Sequence, residues 1–172
     1  TTIATNPETA AVALRDALGV DYDLQSHWRD PRVAFLAWRA KIEELGVLVF
    51  QASRIASEEA SGFAFSSHLL PFMVINRKDA YARRTCSMFN ELANLMLRQS
   101  GVSDLDIEGP RPADDEKIEV FCNQVAAAAL MPRDLFLKEA SIAAKGNGRH
   151  EWDDATVQSL SLTYGVSREA IV

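Results

Sequence analysis

The stretch from Tyr81 to Ser100 constrains the chain most, because it sustains a helical pattern before Gly101 stops it. On such a helix Asn90 and Asn94 stand at i and i+4, on one face, with Glu91 beside the first. A long helix must bury its other face, and the rest of the chain offers short partners for it. Val47-Leu48-Val49-Phe50 reads as a buried strand, and Gly62-Phe63-Ala64-Phe65-Ser66 and Pro71-Phe72-Met73-Val74-Ile75-Asn76 read as two more. A polar loop at Ser67-His68 separates the last two.

Helices flank this set. Asn6 is placed to cap a helix with Pro7 at its first position, and Ala10, Ala11, Ala13, Leu14, Ala17 and Leu18 form its apolar stripe up to Gly19. Asp30-Pro31 repeats the start, with Phe35, Leu36, Trp38, Ile42 and Leu45 as the face to be buried before Gly46. Gly109-Pro110-Arg111-Pro112 predicts a rigid turn. The acidic start Asp114-Asp115-Glu116 then suits the positive end of a helix from about 113 to 130. Met131-Pro132 breaks that helix, and a further one is expected over 133–144. After a loop at Lys145-Gly146-Asn147-Gly148, a tail helix from 153 to 164 turns at Gly165-Val166-Ser167. Three short strands among five or more helices predict an α+β fold. A chain of 172 residues fits one domain spanning 1–172, with residues 1–30 as a helical lead-in and 150–172 as a helical tail.

Composition bears mainly on partners. A net charge of −6 argues against direct nucleic-acid binding, since phosphate contacts need a basic face. The local basic group Arg77, Lys78, Arg83 and Arg84 reads as a solvated helix start, and Arg168 alone in the tail favours a packing helix over a recognition helix. No apolar run of about 18 residues predicts a membrane span. Cys86 and Cys122 are too few for a disulfide framework, which fits a reducing cytoplasm, and both are expected to act as small buried hydrophobes. His27, His68 and His150 match no ligand spacing. Trp28, Trp38 and Trp152 are expected in the core, with Met88, Met96 and Met131 at helix interfaces.

The Asn90-Glu91-Leu92-Ala93-Asn94 motif resembles a zinc-protease helix in which asparagines replace both histidines of H-E-x-x-H. Three further segments are similar to the ImmA/IrrE family of metallopeptidases: Pro71 to Asn76, Arg84 to Leu97, and Glu119-Val120-Phe121-Cys122-Asn123-Gln124-Val125-Ala126-Ala127-Ala128-Ala129-Leu130-Met131-Pro132. The closing Tyr164-Gly165-Val166-Ser167 also resembles the family's turn. The resemblance implies a helical, zincin-like metallopeptidase domain with a small three-stranded sheet. It implies positions 90, 94 and 119 as ancestral metal ligands and Glu91 as a general base, here vestigial. Its members cut a helix-turn-helix repressor, and some are fused to a DNA-binding domain.

The departures redirect that expectation. Zinc prefers imidazole, thiolate or carboxylate, and a neutral amide is a poor donor. With Asn90 and Asn94 in place no metal or other cofactor is expected, although zinc would be if histidines stood there. The expected function is then a non-proteolytic sensor or partner-binding module of a transcriptional regulator. Its old cleft, lined by Asn90, Glu91, Asn94 and Glu119, would take a small molecule or a peptide segment. The alternative is a zinc-dependent endopeptidase of a helix-turn-helix repressor, inactivated here by His-to-Asn substitution.

Overall fold

The computed structural model describes residues 2–53, 61–66, 70–97, 112–143 and 152–172. Its elements run α1 (Pro7–Leu18), α2 (Tyr22–Ser26), α3 (Pro31–Glu44), β1 (Leu48–Ala52), β2 (Gly62–Phe65) and β3 (Phe72–Asn76). They continue with α4 (Tyr81–Leu97), α5 (Pro112–Leu130), α6 (Arg133–Phe136), α7 (Ala140–Ala143) and α8 (Asp154–Tyr164), then one 3-10 turn at Arg168–Ala170. The expected loops at Ser67-His68, Gly109-Pro110-Arg111 and Lys145-Gly146-Asn147-Gly148, the stop at Gly101, and both His68 and His150 lie outside the described residues.

The capping chemistry forms as anticipated. The Asn6 side-chain oxygen accepts from the Glu8 N–H at 2.8 Å, and Asp30 Oδ1 accepts from Arg32 and Val33 N–H at 2.9 and 3.0 Å. Gly19 and Gly165 end α1 and α8 in the left-handed conformation, at φ 63° and 67°. α2 was not anticipated. Asp21 caps it through the Leu24 N–H at 2.8 Å, but five residues are too few to show a period.

The sheet has the order β1-β3-β2, with β1 parallel and β2 antiparallel to the central β3. Among the described residues α3 and α4 cover its inner face, and exposure alternates along β2 and over the first residues of β1 and β3. Val47 and Val49 are buried as expected, but Phe50 is 51% exposed and Leu48 only half-buried, which corrects the reading of that run as a wholly buried strand. Phe63 and Phe65 stand out on the same outer face.

The core joins the helices to the inner face of the sheet. Trp38 of α3, 1% exposed, meets Trp28 edge-on at 5.2 Å and Phe89 of α4 edge-on at 4.8 Å between ring centroids. Two of the expected helical stripes shift. On α1, Ala13 and Ala17 face solvent while Arg15 is buried; on α3, Leu36 and Leu45 are exposed and Ala34 is buried. In each case about 100° per residue carries the outliers off the face that meets the core.

Buried Arg15 does specific work. Its Nη1 donates to Gln25 Oε1 and to the Ala129 carbonyl at 2.5 and 2.7 Å, and Gln25 Nε2 donates to the carbonyls of Leu130 and Tyr164 at 2.8 and 3.1 Å. Those carbonyls end α5 and α8, where helices leave acceptors without internal partners. A cation there also suits the negative end of α5. One buried pair from the N-terminal segment thus ties two later helix ends together.

The helix expected over 133–144 is instead two short helices, α6 and α7, separated at Leu137-Lys138-Glu139. Glu139 Oε1 there accepts from both Tyr22 and Tyr164 hydroxyls, at 3.1 and 3.0 Å. A tertiary contact overrides the local helical preference. The tail after Gly165 forms the 3-10 turn rather than a second full helix, with Val166 and Ile171 buried and Arg168 paired to Asp154 at 2.5 Å. Among the described residues no helix is long and apolar enough to cross a membrane.

Burial, then hydrogen bonding and the Glu139 charge, push the Tyr164 phenol well above its ordinary value of 10.0, and burial likewise raises Tyr22. The folded state therefore favours the neutral phenols. Their contribution is fully present below pH 10 and is lost as pH rises above it toward the raised values. Urea denaturation across alkaline pH should show stability falling beyond about pH 10, and Tyr164→Phe should flatten that fall. An unchanged slope in the variant would contradict this account of the contact.

Candidate functional site

α4 divides into two faces. Thr85, Met88, Phe89, Leu92, Ala93 and Leu95 are buried against α3, α5 and the sheet. Their burial fixes the helix's roll and leaves Arg83, Cys86, Ser87 and Asn90 along the other side. Glu91 falls on the boundary, 9% exposed. These residues line a cavity of about 510 Å³, closed by Ser61 and Gly62 of the β2 end and by Glu119 and Asn123 of α5.

Asn90, Glu91 and Glu119 are therefore brought together from α4 and α5. Asn94 lies one turn further along α4, half-buried, and is not among the described residues that line the cavity. Asn123 was not singled out from sequence, yet it links the others. Asn90 Nδ2 donates to Asn123 Oδ1 at 2.8 Å, and Asn123 Nδ2 donates to Glu119 Oε1 at 2.9 Å. The signal that could have found it is its place four residues after Glu119, on the same face of α5.

The direction of this chain of hydrogen bonds follows from its anchor. A carboxylate only accepts, so Asn123 must turn its NH₂ toward Glu119 and its oxygen toward Asn90. Asn90 must then answer with its own NH₂, which leaves its carbonyl oxygen at the far end of the chain.

The other lining groups have defined partners. Arg83 lies 3.7 Å from Asp79 through Nε, and its Nε and Nη2 donate to Ser61 Oγ at 3.3 and 3.1 Å. Arg84 stacks over Tyr81 at 4.4 Å, and it donates to the Asp79 and Arg77 carbonyls and to Gln51 Oε1. Half of the basic group at 77–84 is thus engaged with the protein's own surface, while Arg77 and Lys78 are exposed. A side chain at Gly62 would meet the Val74 carbonyl oxygen at 2.9 Å and Glu91 Cγ at 3.6 Å, so the strand stays bare beside that carboxylate.

The expectation that both cysteines are buried holds for Cys122 alone; Cys86 is exposed. Four residues before Asn90, it lies on the cavity stripe rather than the core stripe. Protein packed around its sulfur nevertheless raises the thiol's pKa, against the opposing pull of Arg83. His27 caps α2 at the surface, with Nδ1 at 2.7 Å from the Asp23 carbonyl.

The donor chemistry does not fit a catalytic zinc. Such a site takes three protein ligands, mostly imidazole, thiolate or carboxylate. Among the described residues no three His, Cys, Asp or Glu side chains are grouped to hold a metal ion. At this cleft one oxygen of Glu119 already accepts from an amide.

The long central helix against a small mixed sheet, with a second helix supplying a carboxylate, defines an α+β domain of zincin-like type. Residues 42–172 match the family described as the IrrE N-terminal-like domain, and the chain belongs to that family. No curated protein matches the sequence. Among solved structures, a Mycobacterium tuberculosis transcriptional regulator shares the fold, with a TM-score of 0.55 at 13% identity over 97% of this chain. The chain spans 51% of that protein's length.

Two substitutions separate fold from site. Trp38→Ala should cost about 3–5 kcal/mol in urea denaturation, because the packing around it is aromatic and closed. Asn123→Ala should cost only about 1 kcal/mol, because its two hydrogen bonds are exposed to water. Equal costs would contradict this division.

Proposed function

We propose that this domain is a non-proteolytic module of a transcriptional regulator that binds a ligand or a partner segment in the cleft between α4 and α5. The hydrogen-bonded chain Asn90–Asn123–Glu119 is the observation that carries the reading. It joins two helices through Asn90 and Glu119, two of the positions that the family resemblance assigns to metal binding, with Asn123 between them, and it engages the Glu119 carboxylate with an amide. Glu91 sits in the same cavity, where a general base would stand, but a general base needs an activated water to act on.

The regulatory context rests on family membership and on the shared fold with a protein described as a transcriptional regulator. The partner class that the family brings is a helix-turn-helix repressor or a fused DNA-binding domain. A small-molecule ligand is the other occupant that a cavity of about 510 Å³ would accept.

Elemental analysis of the purified protein, with a peptidase assay on the same sample, tests the proposal. Zinc should be well below one equivalent per chain and no peptide should be cut. A full equivalent held at this cleft, with hydrolysis, would overturn the proposal in favour of a working zinc endopeptidase.

A further inference from the structure

The sheet has two apolar faces, and only the inner one carries a layer of helices among the described residues. On that side Val49, Met73 and Ile75 are buried. The strand pairing sets the opposite face out as two rows across the three strands. One row is Phe50, Val74 and Phe63, and the next is Leu48, Phe72 and Phe65. All six are apolar, whereas a sheet face that meets water alternates polar residues outward. Phe50, Phe63 and Phe65 are 51, 49 and 54% exposed. Leu70, exposed and two residues before Phe72, continues the strip along β3. The rings form one surface, since Phe72 lies 6.1 Å from Phe50 and 5.5 Å from Phe65 between centroids. A contiguous apolar face of this kind marks an interaction surface rather than scattered exposure.

Charge at one end of the strip says what kind of partner fits. Arg77 and Lys78 follow β3 directly; both are exposed, and neither forms an ion pair among the described residues. The Asn76 side chain shares the strand parity of Phe72 and Val74, and its Oδ1 accepts from the Lys78 N–H at 3.0 Å. That bond draws the backbone at Lys78 to the outer side of the sheet, beside the end of the apolar strip. From Leu70 to Arg77 an extended strand runs about 23 Å, which about fifteen residues of helix would span. Sheet faces are covered by helices, whereas added strands pair at sheet edges.

We propose that the outer face of the sheet docks an amphipathic helix of a partner protein. Its apolar stripe would lie on Phe50, Phe63, Phe65 and Phe72, with an acidic turn at Arg77 and Lys78. This surface is separate from the cleft between α4 and α5, and the inference does not depend on what the cleft binds. Area argues against a second copy of the chain as the occupant. The three half-exposed phenylalanines offer about 300 Å², against about 800 Å² per partner in a stable interface of standard size. A membrane is the poorer match, because anionic-lipid sites gather about four to eight cations and this chain has a net charge of −6.

The test is fluorescence anisotropy of dye-labelled peptides of about fifteen residues, titrated with the full chain. One peptide has a leucine stripe and glutamates in a terminal turn. A second carries lysines in place of the glutamates, and a third has its leucines scrambled. The first should bind saturably, the second about tenfold or more weaker, and the scrambled one not at all. Phe63→Ser with Phe65→Ser should weaken the first by about tenfold or more. Leu137→Ser, at an exposed leucine away from the sheet, should leave it unchanged. Arg77→Glu with Lys78→Glu keeps the apolar face and should reverse the preference between glutamate and lysine peptides, which misfolding cannot do. Binding of the scrambled peptide as strong as the first, or of no peptide, would overturn the proposal. So would a dimer in sedimentation equilibrium that the phenylalanine substitutions dissociate, which would assign the face to a second copy. Pelleting with phosphatidylserine–phosphatidylcholine vesicles, without peptide binding, would overturn it in favour of a membrane. A zinc equivalent in the cleft would overturn the proposed function and leave these outcomes unchanged, so the two failures are distinguishable.

Discussion

The edge-to-face contact of Trp38 with Phe89 is the interaction on which the rest depends. Both side chains are fully buried, and they join α3 to α4 at the centre of the core. Aromatic rings prefer this geometry because the positive edge of one meets the negative face of the other. The contact sets the roll of α4 about its axis. With Phe89 turned inward, Asn90 and Cys86 turn toward the cavity, and Glu91 falls at its edge. A helix rotated by one residue would place Glu91 where Asn90 stands and change the chemistry of the wall.

A second constraint fixes the opposite wall. α5 carries Glu119 and Asn123, and its C-terminal carbonyls are held by Arg15 and Gln25, while α1 packs along it. The N-terminal segment, none of whose described residues lines the cavity, thereby positions a helix that does. Residue 42, where the family match begins, falls near the end of α3, so this support comes from outside the matched region. The cleft is the gap between two helices whose placements are fixed separately, one by aromatic packing and one by buried hydrogen bonds.

Much of this is legible in the sequence, and the rest is not for physical reasons. The caps at Asn6 and Asp30 and the start of α4 at Tyr81 are local signals, and local signals survive folding. The three strands were legible, but the exposure of Phe50 was not, because strand periodicity does not say how many faces of a sheet will be covered. The break at Glu139 depends on Tyr22 and Tyr164, which no local window contains. At the candidate site, Asn90, Glu91 and Glu119 share one cavity, while Asn94, expected in the same cleft, is not among its described lining residues. Amide pairing across helices, as at Asn123, leaves no period, and Cys86 is of a commonly buried residue type yet lies on the cavity stripe of α4.

Packing and site chemistry fall on separate faces of α4 at this cleft, so the framework does not depend on which groups stand on the cavity side. Zinc K-edge anomalous diffraction from crystals grown with equimolar zinc tests this most directly. The account predicts no anomalous peak in the cleft and an intact contact between Asn90 Nδ2 and Asn123 Oδ1. A full-occupancy peak coordinated by Glu119, with that contact broken, would contradict it.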